Sequence, residues 1–409
     1  MGNRQKIVII GASHAGCNAA FQLKQHIPGI EVTLLSDESC LPYHRPPLSK
    51  ALVKGEVQAE QIQLKSPSAF DEAGIELRLN YSVKEIDRKH RLINGELNYD
   101  KLILATGGAP RPVRIPGLES DKLVYLRDMS DTLALQKRLE NTQHITLVGG
   151  GYIGLELAAS LIQMGKKVTL VEAASRILNR VTAAEVSDFF QTYHQRRGVH
   201  FLIGQQIEQA TLLQDGRASL RSSDGECFIT DLVVAGIGML PNTYLASKAK
   251  LETDNGVLVN QYGQTSDHNI YAIGDCASYP HPDHPGLRIE SVQSAVEQAR
   301  ITAAHITQQD FKPHDLPWFW TDQYDLKMKM AGINTGHDAT VLRGSVSDGQ
   351  FSCFYLRNGV VIAADCVNQP GEFMASKRLI AQGGRVPAEM LSNSSISMKE
   401  IITLCHQSK

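Results

Sequence analysis

One local pattern occurs twice in this chain and restricts its fold more than any other feature: an apolar strand running into a glycine turn, then a helix, then a second strand. The second copy, HITLVGGGYIGLELAASLIQMGKKVTLVEAA, is the complete one. Gly149, Gly151 and Gly154 fit G-x-G-x-x-G, and Glu172 stands at the end of the following strand. The first glycine makes the turn, the second lets backbone approach a pyrophosphate, and the third lets the helix pack on the strand. The helix N-terminus then offers N–H donors and the positive end of its dipole to the phosphates. Tight helix-sheet packing alone would account for the glycines but would leave Glu172 unexplained.

The first copy opens the chain as a strand from Lys6 to Ile10, GASHAGCNAAFQL as a helix, and EVTLLSDE as the next strand. Gly11 and Gly16 are in place, but Ser13 occupies the middle-glycine position and adds a side chain where backbone should meet phosphate. Its hydroxyl can donate to a phosphate oxygen, and Asp37, just past the strand, can accept from a ribose hydroxyl. The copies align, Val32-Thr33-Leu34-Leu35 on Val168-Thr169-Leu170-Val171, so the expected class is α/β with two Rossmann-like domains. Glu172 would accept both adenosine ribose hydroxyls and repel a 2′-phosphate, which favours NADH and disfavours NADPH. Arg176 is the nearby cation that could blur that choice.

A chain of 409 residues is too long for one core and should form two or three domains. Its net charge of -2 gives no global basic field, so no nucleic-acid partner is expected. The longest apolar runs, such as LVVAGIGML, fall short of the roughly 18 to 20 residues a membrane span requires. The seven cysteines are odd in number and include no C-x-x-C pair, which argues against a disulfide framework, a clustered metal site or an adjacent redox dithiol. No metal is expected at HPDHP, His281 to Pro285, where two histidines share a proline-rich loop. A cytoplasmic protein is the resulting expectation.

The segment PYHRPPLSK, Pro42 to Lys50, is the oddest stretch. Its prolines exclude a helix interior and a central strand, so a rigid loop should hold Arg45 and Lys50 in place. Together with LILATGGAPR, GGGYIGLE, TSDHNIYAIGDCA and PWFWTDQYDLKMKMAG, in that order, it resembles the FAD-dependent, NADH-linked ferredoxin and rubredoxin reductases that serve bacterial oxygenases. The apoptosis-inducing factors are more distant relatives. The resemblance covers nearly the whole chain.

It implies a glutathione-reductase-like fold. Residues 1–112 and 245–316 would form a discontinuous FAD domain, 113–244 an NADH domain, and 317–409 an α+β C-terminal domain covering the flavin. The stretch FSCFYLRNGVVIAADCVN also reads locally as a hairpin, with Asn358-Gly359 as its turn. One FAD per chain would lie on Gly11, Ser13, Ala15, Gly16, Asp37 and Arg45, on Ala105, Thr106 and Gly107, and on Arg127. Gly274 and Asp275 would reach its ribityl chain, with Ser291, Val292, Lys50 and Trp320 by the flavin. NADH would lie on Gly149, Gly151, Tyr152, Ile153, Gly154, Glu156 and Glu172, with Gly236, Ile237 and Gly238 opposite. Lys50 and Glu156 would pair at the site of hydride transfer as the catalytic residues.

NADH delivers two electrons at once and an iron-sulfur protein accepts one, a mismatch that flavin chemistry bridges. No cysteine cluster in the chain could hold its own iron-sulfur centre, so the acceptor implied is a small [2Fe-2S] ferredoxin, alternatively a rubredoxin. Arg300, Lys377 and Lys399, with Trp320, match the family's docking positions for an acidic partner, although each charge alone reads as an ordinary solvated group. The chain would act as a monomer or weak homodimer. Two other classes share the fold: NADH oxidases and disulfide reductases, for which Cys40 is the candidate redox thiol, and NADH-switched signalling proteins.

Overall fold

The computed structural model describes residues 5–281, 286–310 and 316–407. The chain divides into two compact units, Met1–Arg45 with Gln58–Ala109 and Met239–Asp315, and Pro46–Val57 with Pro110–Gly238 and Leu316–Lys409.

The first unit is built on a five-stranded parallel sheet in the order Ile270–Ala272, Lys101–Leu104, Lys6–Ile10, Glu31–Leu35, Ile75–Arg78. Strand Lys6–Ile10 is central and buried on both faces, Ile7 and Ile9 in one apolar cluster and Val8 and Ile10 in another. That explains why it reads as an uninterrupted apolar run and not as an alternation. Helices His14–His26 and Val292–Ile306 pack together on one face, where Ala15, Ala19 and Ala20 meet Ala295, Ala299 and Ala303. Small side chains at those positions let the helices lie close and bring both N-termini to the carboxyl ends of the strands, the ligand-binding edge of such sheets.

The second unit holds another parallel sheet, in the order His200–Ile203, Lys167–Glu172, His144–Val148, Leu232–Ala235, Leu123–Tyr125. It also holds a three-stranded antiparallel sheet of Ile207–Leu212, Ala218–Ser222 and Cys227–Thr230. The C-terminal part is a five-stranded antiparallel sheet, ordered Trp318–Gln323, Leu326–Gly332, Val360–Val367, Gln350–Arg357, Ala339–Ser345. The hairpin at Asn358-Gly359 is present, with φ of 53° and 76° at its two turn residues, as a type I′ connection requires. One apolar cluster runs from Ile145, Leu147 and Leu170 through to Met328, Phe351 and Val367, so the C-terminal sheet and the second parallel sheet share a core.

The proline segment is more ordered than a loop. Pro46–Ser49 form one turn of 3₁₀ helix, and Pro47 O accepts from the N–H groups of Lys50 at 3.0 Å and Leu52 at 2.9 Å. Proline suits the start of such a turn, where an N–H would have no intrahelical partner. Val53 then enters the core beside Leu135 and Leu157, and Gln136 donates to Leu52 O, which fastens the segment within the second unit. Of the His281–Pro285 stretch, only His281 lies within the described residues. No helix among the described residues is long and apolar enough to cross a membrane.

Candidate functional site

In the first unit, three backbone turns meet at the end of the parallel sheet. Gly11 has φ of 107°, and a Cβ there would sit 2.2 Å from Ala105 O, so the first turn and the Ala105–Gly107 segment can approach only through glycine. A Cβ on Gly16 would fall 1.8 Å from Gly11 O, which fits the third-glycine role of close helix packing. Gly274 lies in the left-handed region at φ 75° and donates its N–H to Gln298 Oε1 at 2.6 Å, fixing the turn that carries Asp275. Arg288 holds the Asp275 carbonyl at 2.9 Å. Ser291 caps helix Val292–Ile306 by accepting from Ser294 N–H, so Val292 opens a helix anchored at that edge.

Ser13 has a use that the glycine pattern does not suggest. Its hydroxyl accepts from Arg45 Nε at 3.0 Å, directly at the N-terminus of helix His14–His26. A guanidinium beside free helical N–H groups forms an anion site suited to a pyrophosphate. The two neighbouring acids at this site are placed differently. Asp37 is exposed, whereas Glu38 lines a small cleft with Ser13 and Arg45, pairing with Arg45 at 2.7 Å and accepting from Tyr43 OH at 2.6 Å. The turn after Leu35 points Glu38 inward. Cys40 also lines this cleft, its sulfur 3.9 Å from Glu38 Oε2. None of the seven cysteines is disulfide-bonded.

The second unit holds the complete glycine turn. Gly149 has φ of 110°, and a Cβ there would lie 2.4 Å from Gly236 O; one on Gly154 would lie 2.3 Å from Gly149 O. At Gly151 a Cβ would meet nothing within 4 Å, so the backbone there fronts open space where a phosphate group fits. Ile153, in the first helical turn, is 51% exposed. Tyr152 instead turns inward, its hydroxyl on Met330 Sδ and its ring on Phe319. Glu172 is held at both oxygens, by Gly150 N–H at 2.6 Å and Ala174 N–H at 2.7 Å. Arg176 is turned away, bound to Ser187 Oγ and Asn179 O. Gly236, Ile237 and Gly238 follow strand Leu232–Ala235, beside that turn. Arg127 precedes a helix closed by a capping box at Asp128 and Asp131, which also fixes the Arg127 N–H.

Lys50 and Glu156 come together in this unit. Lys50 Nζ lies 2.9 Å from Glu156 Oε1, and the Glu156 side chain is only 6% exposed. Two residues to which the sequence reading assigns no role complete the site: Ser49 Oγ donates to Glu156 Oε2 at 2.7 Å, and Thr321 Oγ1 donates to Oε1 at 2.8 Å. Ser160 donates to Ser49 O at 2.8 Å and ties the 3₁₀ turn to the helix that carries Glu156. A buried carboxylate is costly unless such donors satisfy it. Trp320 stands on the same strand as Thr321, flanked by Trp318 and Phe319 with ring centroids 6.0 and 6.1 Å away.

The residues expected to face an acidic partner differ in character. Arg300 is engaged by both oxygens of Glu297, at 2.9 and 2.6 Å. Lys377 lies over the Trp318 ring, 5.7 Å from its centroid, and Lys399 is exposed on helix Met398–Gln407.

Comparison with known proteins agrees with this architecture. The family model described as pyridine nucleotide-disulphide oxidoreductase matches residues 5–299, and the one described as reductase C-terminal matches residues 318–402. Putidaredoxin reductase of Pseudomonas putida is 40% identical over 98% of this chain and 98% of its own. Rhodocoxin reductase of Rhodococcus erythropolis is 37% identical over 96% of this chain and 93% of its own. The crystal structure of the covalent putidaredoxin reductase-putidaredoxin complex superposes with a TM-score of 0.94 at 38% identity, covering 99% of this chain and 100% of that one.

Proposed function

The chain belongs to the pyridine nucleotide-disulphide oxidoreductase family, with a reductase C-terminal domain, and on that premise we propose that it passes electrons from NADH through FAD to a small [2Fe-2S] ferredoxin serving an oxygenase. The observation that carries this reading is the pairing of Lys50 with the buried Glu156, which Ser49 and Thr321 hold just past the complete glycine fingerprint. The two glycine turns supply the cradles that two dinucleotides need.

When bound, FAD supplies the conversion of a two-electron hydride into single electrons. The chain's own residues bind, orient and protect. Ser13 and Arg45, with the N-terminus of helix His14–His26, would hold the FAD pyrophosphate, Glu38 taking the acidic role expected of Asp37. Gly149, Gly151 and Gly154 would hold the NADH pyrophosphate. Glu172, fixed by two backbone donors, favours an unphosphorylated ribose, and the engaged Arg176 offers little to a 2′-phosphate, so NADH is the proposed donor over NADPH. Lys50, fixed by Glu156, presents a cation in one orientation, the kind of preorganised charge that favours a transition state over a ground state. A cytoplasmic setting suits seven cysteines with no disulfide among them.

The test is anaerobic. The purified protein is reduced with NADH, and [2Fe-2S] ferredoxins and a rubredoxin are compared as acceptors through cytochrome c reduction. Fast ferredoxin-dependent turnover that survives Cys40→Ser supports the proposal. Turnover with a disulfide or oxygen alone, lost in Cys40→Ser, would overturn it.

A further inference from the structure

Glu156 is the end of a longer chain of buried polar groups. From Thr321 it continues through Gln323, whose Nε2 lies 3.2 Å from Thr321 Oγ1, to His194, whose Nε2 lies 2.8 Å from Gln323 Oε1. Tyr324 OH lies 3.4 Å from the other ring nitrogen, Nδ1. Thr321 and Gln323 are each 1% exposed and His194 is fully buried. The chain crosses three elements, helix Tyr152–Gln163, strand Trp318–Gln323 and helix Ala184–Gln195.

The chemistry at one end dictates every proton along it. A carboxylate cannot donate, so Thr321 must give its hydroxyl proton to Glu156. Its oxygen must then accept from the Gln323 amide N–H, which turns the amide oxygen toward His194. His194 must therefore carry its proton on Nε2, leaving Nδ1 to accept from Tyr324. All donors point toward Glu156, an arrangement in which each bond polarises the next.

We infer that His194 is a positioning residue for hydride transfer, acting through Gln323 and Thr321 to fix the Glu156 carboxylate and, through it, Lys50. The inference rests on the reading of Lys50 and Glu156 given above. The other neighbours of His194 have no part in this chain: Phe201 meets its ring edge-on, and Arg197 on the same helix end is occupied with Tyr193 and Asp325. Burial and the Arg197 charge hold the imidazole down to about 4, against the Gln323 hydrogen bond, so the ring stays neutral at ordinary pH.

The experiment uses flavin-loaded protein with ¹⁵N-labelled histidine, read by NMR before NADH is added and by anaerobic stopped flow afterwards. His194 should show the Nε2–H tautomer, and Thr321→Val, which removes the hydroxyl at the far end of the Gln323 amide, should admit the second tautomer. Thr321→Val and His194→Phe should each slow flavin reduction about fivefold at unchanged NADH affinity, and the double variant should be no slower than the slower single one. Additive losses, or a His194 spectrum unmoved by Thr321→Val, would overturn the inference. Gln323→Met breaks the same chain and serves if His194→Phe does not fold. Lys50→Ala separates the two readings: a normal rate there overturns the role of the pair itself, whereas a slow Lys50→Ala beside a normal His194→Phe overturns only the role of His194.

Discussion

Lys50 Nζ and Glu156 Oε1 are 2.9 Å apart, and this contact joins the proline-rich turn to the helix that follows the second glycine fingerprint. Ser49 grips the other oxygen, so the turn holds the carboxylate with two consecutive residues. Lys50→Ala removes the cation and leaves Glu156 with hydroxyl donors only. The expected cost is about 2 kcal/mol of stability and at least a tenfold slower reduction of the flavin by NADH. Urea titration and stopped-flow absorbance measure the two effects separately, and normal reductive kinetics would remove Lys50 from the mechanism.

Asp365 gives the second unit a pH signature. It is 3% exposed and accepts from Thr182 Oγ1 and Tyr355 OH, so it ties the C-terminal sheet to the segment after Glu172. Burial nevertheless pushes its carboxyl up to about 6, against the two hydrogen bonds that pull it down. Between the unfolded value of 3.8 and about 6 the folded state binds the extra proton. Stability should therefore fall as pH rises through that window and level off above it, with an amplitude of about 3 kcal/mol. Asp365→Asn keeps an acceptor for both hydroxyls and should flatten this dependence in urea melts at pH 4.5, 6 and 8. An unchanged slope would show that another group is responsible.

How much of this was legible in the sequence depends on the range of the interaction. The glycine turns and the Asn358-Gly359 hairpin are set by φ and by contacts within a few residues, so residue type announces them. Asp37 and Glu38 are neighbours, and which of them faces the cleft is decided by how the chain leaves strand Glu31–Leu35, a rotation that periodicity does not encode. Thr321, Gln323 and His194 look like ordinary strand and helix residues, and their roles arise where distant elements pack together. The pairing of Lys50 with Glu156 was readable only through the family resemblance. The inward acid had one available clue, since Arg45 and Tyr43 in the nearby proline segment are both donors that a carboxylate can satisfy.

Cofactor choice should turn on Glu172 and Ser187. Glu172→Ala removes the carboxylate proposed to accept the ribose hydroxyls and should raise the KM for NADH about tenfold while leaving that for NADPH unchanged or lower. Ser187→Ala removes one of the partners that hold the Arg176 guanidinium away and should improve NADPH use selectively. Ratios of kcat/KM for the two nucleotides decide the matter. Equal losses for both in Glu172→Ala would show that the carboxylate only shapes the glycine turn.

Ferredoxin docking should depend unequally on the three basic residues expected to receive it. Arg300 already spends its charge on Glu297, two hydrogen bonds within one helical turn, so Arg300→Glu should change the ferredoxin KM by less than about twofold. Lys377 places its ammonium over the Trp318 ring and so presents its charge beside the Trp318–Trp320 pair, while Lys399 is exposed. Lys377→Glu and Lys399→Glu should each raise the ferredoxin KM about fivefold, with a slope against ionic strength shallower than that of the parent. Reduction of the flavin by NADH should be unaffected in all three, because none of them touches the glycine turns or Glu156. Cytochrome c-coupled assays at two salt concentrations measure this, and a KM unchanged in the triple variant would mean that the acidic partner docks elsewhere.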